Sequence, residues 1–159
     1  MGKEIEVKVL NVDLNKIEQK LKEIGAKLVA NEYQVNTIFD SEDKYIQNKL
    51  NSYLRIRETK NLIDNTTNIN FTLKKSIDNR GTRKNIEITT SIDNKEALIS
   101  ILKDLRYNIV QEGYKERKSY VYDGIRFDLD RWDKDTYPYP YMEIEVKEEE
   151  DIERAINLL

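Results

Sequence analysis

Neither cysteine nor histidine occurs among the 159 residues. The first absence excludes thiol chemistry and disulfides and suits a reducing cytosol, so a cytoplasmic location is expected. The second excludes an imidazole general base, His-based triads and histidine metal ligands. No apolar run approaches the roughly 18 residues of a membrane-crossing helix, and no signal peptide opens the chain, so no membrane partner is expected. Net charge is only −3, from 27 basic and 30 acidic residues, which gives no electrostatic reason to expect DNA binding. No glycine-rich phosphate loop appears, so P-loop and Rossmann folds are excluded. Any chemistry here must come from carboxylates, Lys, Arg, Tyr or a bound metal.

What the chain does have is charge. Charged residues make up 36 %, above the usual quarter or so, yet apolar residues recur so regularly that the chain reads as folded. Its length favours a single domain over 1–159, with no low-complexity segment or linker. Period 2 predicts eight strands near 3–11, 27–39, 52–59, 69–75, 83–91, 108–122, 125–132 and 141–147. Asp123-Gly124 predicts a two-residue hairpin, and 61–68 and 76–81 read as polar loops. Helical spacing predicts helices over 14–24, 95–106 and 149–159, each with one apolar stripe. Asp13 is placed to cap the first and Gly25 to end it. Shifting by 81 residues aligns 5–33 with 86–114 at six of 29 identities, and both halves then read strand, helix, long strand.

Alternate residues of a strand share a face. Sorted in this way, one face collects Glu4, Glu6 and Lys8, then Arg55 and Arg57, Thr72 and Lys74, and Arg83, Asn85 and Glu87. Lys115 and Arg117, Arg126, Asp128 and Asp130, and Glu143, Glu145 and Lys147 complete it. One such strand is an ordinary solvated face, and an open sheet would present the whole set to water. A closed sheet of eight antiparallel strands removes its own edges, and its interior has room for side chains plus one small ligand. The expected fold is therefore α+β: a closed eight-stranded antiparallel barrel with a charged lumen and helices packed outside. Closure also makes the first and last strands neighbours, so that the two copies of Glu-Ile-Glu-Val-Lys, at 4–8 and 143–147, bring four glutamates into one patch. Convergent carboxylates without His or Cys form a hard-oxygen site that suits Mg²⁺ or Mn²⁺. The cations suit phosphate, which Arg grips through two parallel bonds. Acidic and basic halves together suggest a metal–polyphosphate ligand.

The order EIEVK, LRIR, TLKK, RKNIE, KER, DLD, EIE resembles the CYTH superfamily, the triphosphate tunnel metalloenzymes, from Glu4 to the last helix. That resemblance implies an eight-stranded tunnel acting on a small-molecule triphosphate with Mg²⁺ or Mn²⁺. It implies Glu4, Glu6, Glu143, Glu145 and Asp130 as metal ligands. Lys8, Arg55, Arg57, Lys74, Arg83, Lys115 and Arg117 match its phosphate-binding cations, while Glu87 and Asp128 are supporting acids. Glu4, Glu6, Lys8, Arg57 and Glu145 are the residues on which catalysis is expected to depend most. The implied reaction is hydrolysis: the cations hold the chain in line while metal neutralises charge and orients water on the terminal phosphorus.

Asn85 departs from the family, standing where a carboxylate is common, and the His-Phe pair of class IV adenylate cyclases is missing. Residues 131–147, RWDKDTYPYPYMEIEVK, resemble the Trp- and Pro-containing version of some bacterial members similar to clostridial tripolyphosphatases. Tripolyphosphate is the favoured substrate, with thiamine triphosphate and nucleoside triphosphates open. A class IV cyclase and a non-catalytic polyphosphate-binding module are the alternatives. Tyr137, Tyr139 and Tyr141 fit either stacking on a ring at the tunnel mouth or packing on the barrel rim. The oligomeric state, a homodimer included, is left undecided.

Overall fold

The structure, a computed structural model, describes residues 2–78 and 81–159. Its strands are β1 (Gly2–Val9), β2 (Lys27–Asp40), β3 (Ser52–Asn61), β4 (Thr66–Asp78), β5 (Arg83–Ser91), β6 (Asn108–Tyr122), β7 (Ile125–Trp132) and β8 (Tyr141–Val146). The helices are α1 (Leu14–Glu23), α2 (Tyr45–Asn48), α3 (Lys95–Asp104) and α4 (Asp151–Asn157). The strands close into an antiparallel barrel in the order β1-β5-β4-β3-β2-β6-β7-β8. Closure is made by β1 against β8, where Glu6 lies opposite Glu145 and Lys8 opposite Glu143.

Local chemistry sets these elements as expected. Asp13 accepts hydrogen bonds from Asn15 N (3.0 Å) and Lys16 N (3.3 Å) at the start of α1, and Gly25 follows its end in the left-handed region. Asp123 and Gly124 both take positive φ, the geometry that lets a two-residue turn match strand twist. The 81-residue repeat is visible in space. It carries α1 onto α3, Asp13 onto the Asn94 cap, and the Gly2–Glu87 pairing onto Arg83–Glu6. The two β2–β6 register shifts, between Leu28/Ala30 and Ile38/Phe39, exchange under the same shift.

Three boundaries differ from expectation. The predicted loop over 61–68 narrows to a turn at 62–65: β3 and β4 pair out to Asn61–Thr66, because backbone ladder bonds and Thr-rich, Asn-rich alternation continue where apolar pattern stops. β4 likewise runs into the predicted loop at 76–81, of which 79 and 80 lie outside the described residues. Helix α2 was not expected. Its four residues carry no periodicity, and Asp40 makes it by accepting from the backbone N–H of Ile46 (3.0 Å) and Gln47 (3.1 Å).

Apolar alternates face outward beneath the helices. One core gathers Phe127, Leu129, Ile144 and Val146 under Leu14 and Leu21 of α1 and Ala155 of α4. A smaller one joins Phe39 and Ile56 to Leu102 of α3. Burial of these faces supplies the apolar driving force, and the opposite, charged faces are left to fill the lumen. Among the described residues no helix is long and apolar enough to cross a membrane.

Candidate functional site

The barrel encloses a cavity of about 820 Å³. It is lined by Glu4, Glu6, Lys8, Arg55, Arg57, Lys74, Arg83, Glu87, Lys115, Arg117, Asp128, Glu143 and Glu145, all lumen positions of the alternating strands. Asp40, Lys44, Gln47, Ser52, Tyr53, Trp132, Thr136 and Tyr141 join them at the end of the barrel where α2 and the 133–140 segment lie.

Four glutamates and two cations are interleaved on β1, β8, β5 and β4. Lys74 Nζ lies 3.0 Å from Glu4 and 3.5 Å from Glu6, and Arg83 Nη2 lies 3.2 Å from Glu6 and 2.6 Å from Glu143. Asn85, the departure noted in the sequence, donates from Nδ2 to Glu6 at 3.0 Å. With these cations between them, no three acidic side chains among the described residues converge on a ready-made cation cage.

The cations do not quench the patch. Burial raises Glu4, and a hydrogen bond shared with Glu87 adds to it. Burial and the charge of Glu143 raise Glu6. Glu145 accepts no hydrogen bond and makes no ion pair among the described residues. Burial, then repulsion from Glu4, Asp128 and Glu6, pushes its carboxyl up to about 7 against the attraction of Arg126. Like charges directly opposite on paired strands, as Glu6 and Glu145 are, destabilise a sheet. Glu4 Oε2 is also buried without a directed hydrogen bond, although Lys74 lies beside it. Hard carboxylate oxygens in an electrostatically unsatisfied patch fit a divalent cation.

This patch gives a pH prediction. The folded protein keeps a proton on Glu145 that the unfolded chain has already released above the ordinary carboxylate range. Stability should therefore fall as pH rises from about 4.5 toward the folded value of about 7. After discounting for solvent screening, the loss should be about 1 kcal/mol, or about 2–4 °C in Tm. Thermal melts from pH 5 to 8.5 without divalent metal read it. Glu145→Gln should flatten the profile.

The opposite wall is cationic. Arg117 grips Asp130 with two bonds, Nε to Oδ1 at 2.7 Å and Nη2 to Oδ2 at 2.8 Å, and Lys115 Nζ adds a third contact at 3.4 Å. Burial pushes Asp130 up, but Arg117 and Lys115 more than offset it and hold the carboxyl at about 2. Asp130, expected from the sequence among the metal-binding carboxylates, is here the counterion of Arg117 and Lys115. It is 0 % exposed and outside the cavity lining, and both of its oxygens are taken by cations. Asp128 does line the cavity, accepting from Ser119 Oγ at 2.5 Å and Arg126 Nε at 3.0 Å.

Arg55 reaches Glu87 at 3.3 Å. Arg57 has no carboxylate partner among the described residues. Its Nε donates to Asn36 Oδ1 at 2.6 Å, and burial, with Arg55 and Arg117 nearby, lowers its pKa to about 9, still protonated at neutral pH. Burial likewise lowers Lys115, with Arg117 and Arg57 reinforcing it. Burial opposes charge on Lys74, yet Tyr53, Glu6, Glu4 and Glu87 raise it overall. Cations packed this closely repel one another, and a polyanion between them would relieve that repulsion.

Sequence reasoning missed Asn36, Tyr53, Trp132 and the polar ladder behind Arg57. In that ladder Asn36 Nδ2 donates to Gln34 Oε1 (3.3 Å), and Gln34 Nε2 donates to Glu32 Oε1 (2.9 Å). Sorting 32–38 by face would have found the ladder, because Glu32, Gln34 and Asn36 alternate with Tyr33 and Val35.

Comparison with known proteins agrees with this architecture. A Methanocaldococcus jannaschii protein named as a candidate adenylate cyclase is 28 % identical over 127 residues, covering 80 % of this chain and 69 % of that one. The solved structure of the PH1012 protein from Pyrococcus horikoshii superposes with TM-score 0.76 at 25 % identity, covering 98 % of this chain and 85 % of that one. A Hippeastrum protein, described as a candidate adenylyl cyclase with dominant triphosphatase activity, gives TM-score 0.72 at 18 % identity over 97 % of this chain and 84 % of that one. That likeness speaks to fold alone. The CYTH domain family model matches residues 2–159, and the chain belongs to the CYTH domain family, whose tunnel its charged barrel reproduces.

Proposed function

We propose that the protein is a divalent-metal-dependent triphosphatase that removes the terminal phosphate of inorganic tripolyphosphate. The observation that carries this reading is the division of one cavity into an electrostatically unsatisfied carboxylate patch and a crowded cationic wall. A polyanion chelated to a divalent cation complements both at once. Membership of the CYTH domain family is consistent with this reading.

In this reading Arg57, Arg117, Lys115 and Arg55 face the phosphate chain, and Lys8 takes oxygens nearest the mouth. Lys74 and Arg83 exchange their glutamates for phosphate oxygens when substrate enters. That frees Glu4, Glu6 and Glu143 to join Glu145 in holding Mg²⁺ or Mn²⁺, which when bound supplies charge neutralisation and a polarised water. Phosphoryl transfer asks chiefly for alignment and charge stabilisation, so a lumen without histidine suffices. Asp130 acts by fixing Arg117 and Lys115 rather than by touching metal.

Phosphate release from tripolyphosphate should rise from background to saturation with added Mg²⁺ or Mn²⁺ and fall at least about a hundredfold after chelation. ATP should be cleaved more slowly. Full activity in excess chelator would refute the metal dependence. The class IV cyclase reading is favoured by the name of the Methanocaldococcus jannaschii relative. Cyclic AMP and pyrophosphate as the main products from ATP would establish it instead.

A further inference from the structure

Lys8 differs from the other cations of the glutamate patch. It lies opposite Glu143 in the β1–β8 register, but that carboxylate is engaged elsewhere, Oε2 by Arg83 at 2.6 Å and Oε1 by Arg117 at 3.6 Å. Lys8 has no hydrogen bond or ion pair among the described residues. Its Nζ stands instead 4.3 Å from the ring centroid of Tyr141 and 5.8 Å from that of Tyr137. The side chain is exposed at the cavity mouth, where an unheld lysine would sample many rotamers.

The aromatic faces are themselves held. Tyr141 is 3 % exposed, and its hydroxyl accepts from Trp132 Nε1 at 2.5 Å. Tyr137 packs edge-on against it, centroids 5.5 Å apart at 77°. The turn carrying Tyr137 is pinned to β6: Asp133 accepts from Tyr114 N at 2.8 Å and from Thr136 Oγ1 at 2.7 Å. Thr136 sits so close over Gly113 that a Cβ there would lie 2.7 Å from its Oγ1. Tyr139, by contrast, is 67 % exposed and stands edge-on to Tyr137, 6.0 Å away.

We propose that Tyr141, braced by Tyr137 and Trp132, is a positioning residue that holds the Lys8 ammonium at the mouth by its ring face. The cation is kept aimed without a counter-carboxylate, and the incoming phosphate supplies the missing negative charge. An aromatic face suits this task because it restrains a cation yet does not compete with phosphate as a carboxylate would. The proposal rests on the triphosphate reading of the cavity only for its functional consequence. The restraint itself is a property of the free protein.

The experiment compares the parent, Tyr141→Leu, Tyr141→Phe, Tyr137→Leu and Lys8→Ala, with each Leu variant also made in the Lys8→Ala background. In proton–carbon NMR of the free protein, the Lys8 ε-methylene should show an upfield ring-current shift in the parent and in Tyr141→Phe. Tyr141→Leu should lose it. For tripolyphosphate, Tyr141→Leu should raise KM about fivefold with kcat changed less than twofold, the size expected of a cation–ring contact near water. Tyr141→Phe should recover most of that loss, and Tyr141→Leu should cost nothing further once Lys8 is alanine. An unshifted Lys8 methylene in the parent, or an equal penalty from Tyr141→Leu with and without Lys8, would overturn the proposal. If Tyr141→Leu fails to fold, Tyr137→Leu serves, with a smaller loss that must also vanish in the Lys8→Ala background. If the parent hydrolyses no tripolyphosphate, the functional reading fails. The ring-current shift and calorimetric binding of metal-free tripolyphosphate then decide this inference alone.

Discussion

Glu145→Gln should melt at least as high as the parent at pH 8 and yet hydrolyse tripolyphosphate about a hundredfold or more slowly. The two effects have one cause. Glu145 is partly buried among Glu4, Asp128 and Glu6 with no ion pair of its own, and its carboxyl is pushed up to about 7. An amide of the same size removes a charge that the folded state resists, so folding loses nothing. Function loses a ligand oxygen's full charge. Loss of mere supporting contacts around a metal typically costs 10–100-fold, and loss of a ligand charge should reach or exceed the upper end. Glu6→Gln should lose comparable activity but also some stability, because Glu6 compensates Lys74 at 3.5 Å and Arg83 at 3.2 Å. Glu4 and Glu143 remain to share those cations, so the stability cost should stay near 1–2 kcal/mol. Because both residues serve one site, the double variant should be little slower than either single. Turnover at saturating Mn²⁺, measured beside thermal melts, reads all three proteins. Near-parental rates for Glu145→Gln would remove it from the site.

Asp130→Asn should do the reverse, with a large structural loss that carries activity down with it. Its carboxylate is the counterion of Lys115, buried at 3.4 Å, and of Arg117 at 2.7 Å, which also lines the cavity. Breaking one side of a buried ion pair typically costs 3–5 kcal/mol, because the remaining charge is stranded away from water. For a domain of this size that is roughly 6–20 °C in Tm. Lys115→Met added to Asp130→Asn should recover part of the loss by removing one stranded charge. A melt within 2 °C of the parent would show that other groups compensate Arg117 and Lys115. The same linkage sets acid behaviour: Asp130 is held at about 2, so its stabilising contribution is present above the ordinary carboxylate range and lost as pH falls through that value.

The barrel was legible in the sequence because seven of its eight strands write charge at every second residue, and few other arrangements accommodate so much charge on one face of a sheet. The repeat reinforced it, since the half-chains carry the same strand-helix-strand spacing and cap positions. What escaped is whatever depends on pairing across strands. Asp130 looked like one more lumen acid, and only the β6–β7 register, which sets it opposite Arg117, makes it a counterion. Lys74 and Arg83 looked like part of a separate cationic half, whereas the β1–β5 and β4–β5 registers thread them among the glutamates. Helix α2 escaped for a related reason: a buried Asp40 side chain makes it, and no periodic stripe announces it.

In the proposed reaction this lumen directs metal-assisted attack of water on the terminal phosphorus of a triphosphate. Phosphorus NMR of tripolyphosphate turned over with Mn²⁺ removed afterwards, or with Mg²⁺ throughout, in water enriched in oxygen-18 tests it most directly. The released orthophosphate should carry one heavy oxygen and the pyrophosphate none, with no reaction in excess chelator. Label appearing in pyrophosphate instead, metal-independent turnover, or no turnover of any triphosphate would contradict the proposed reaction.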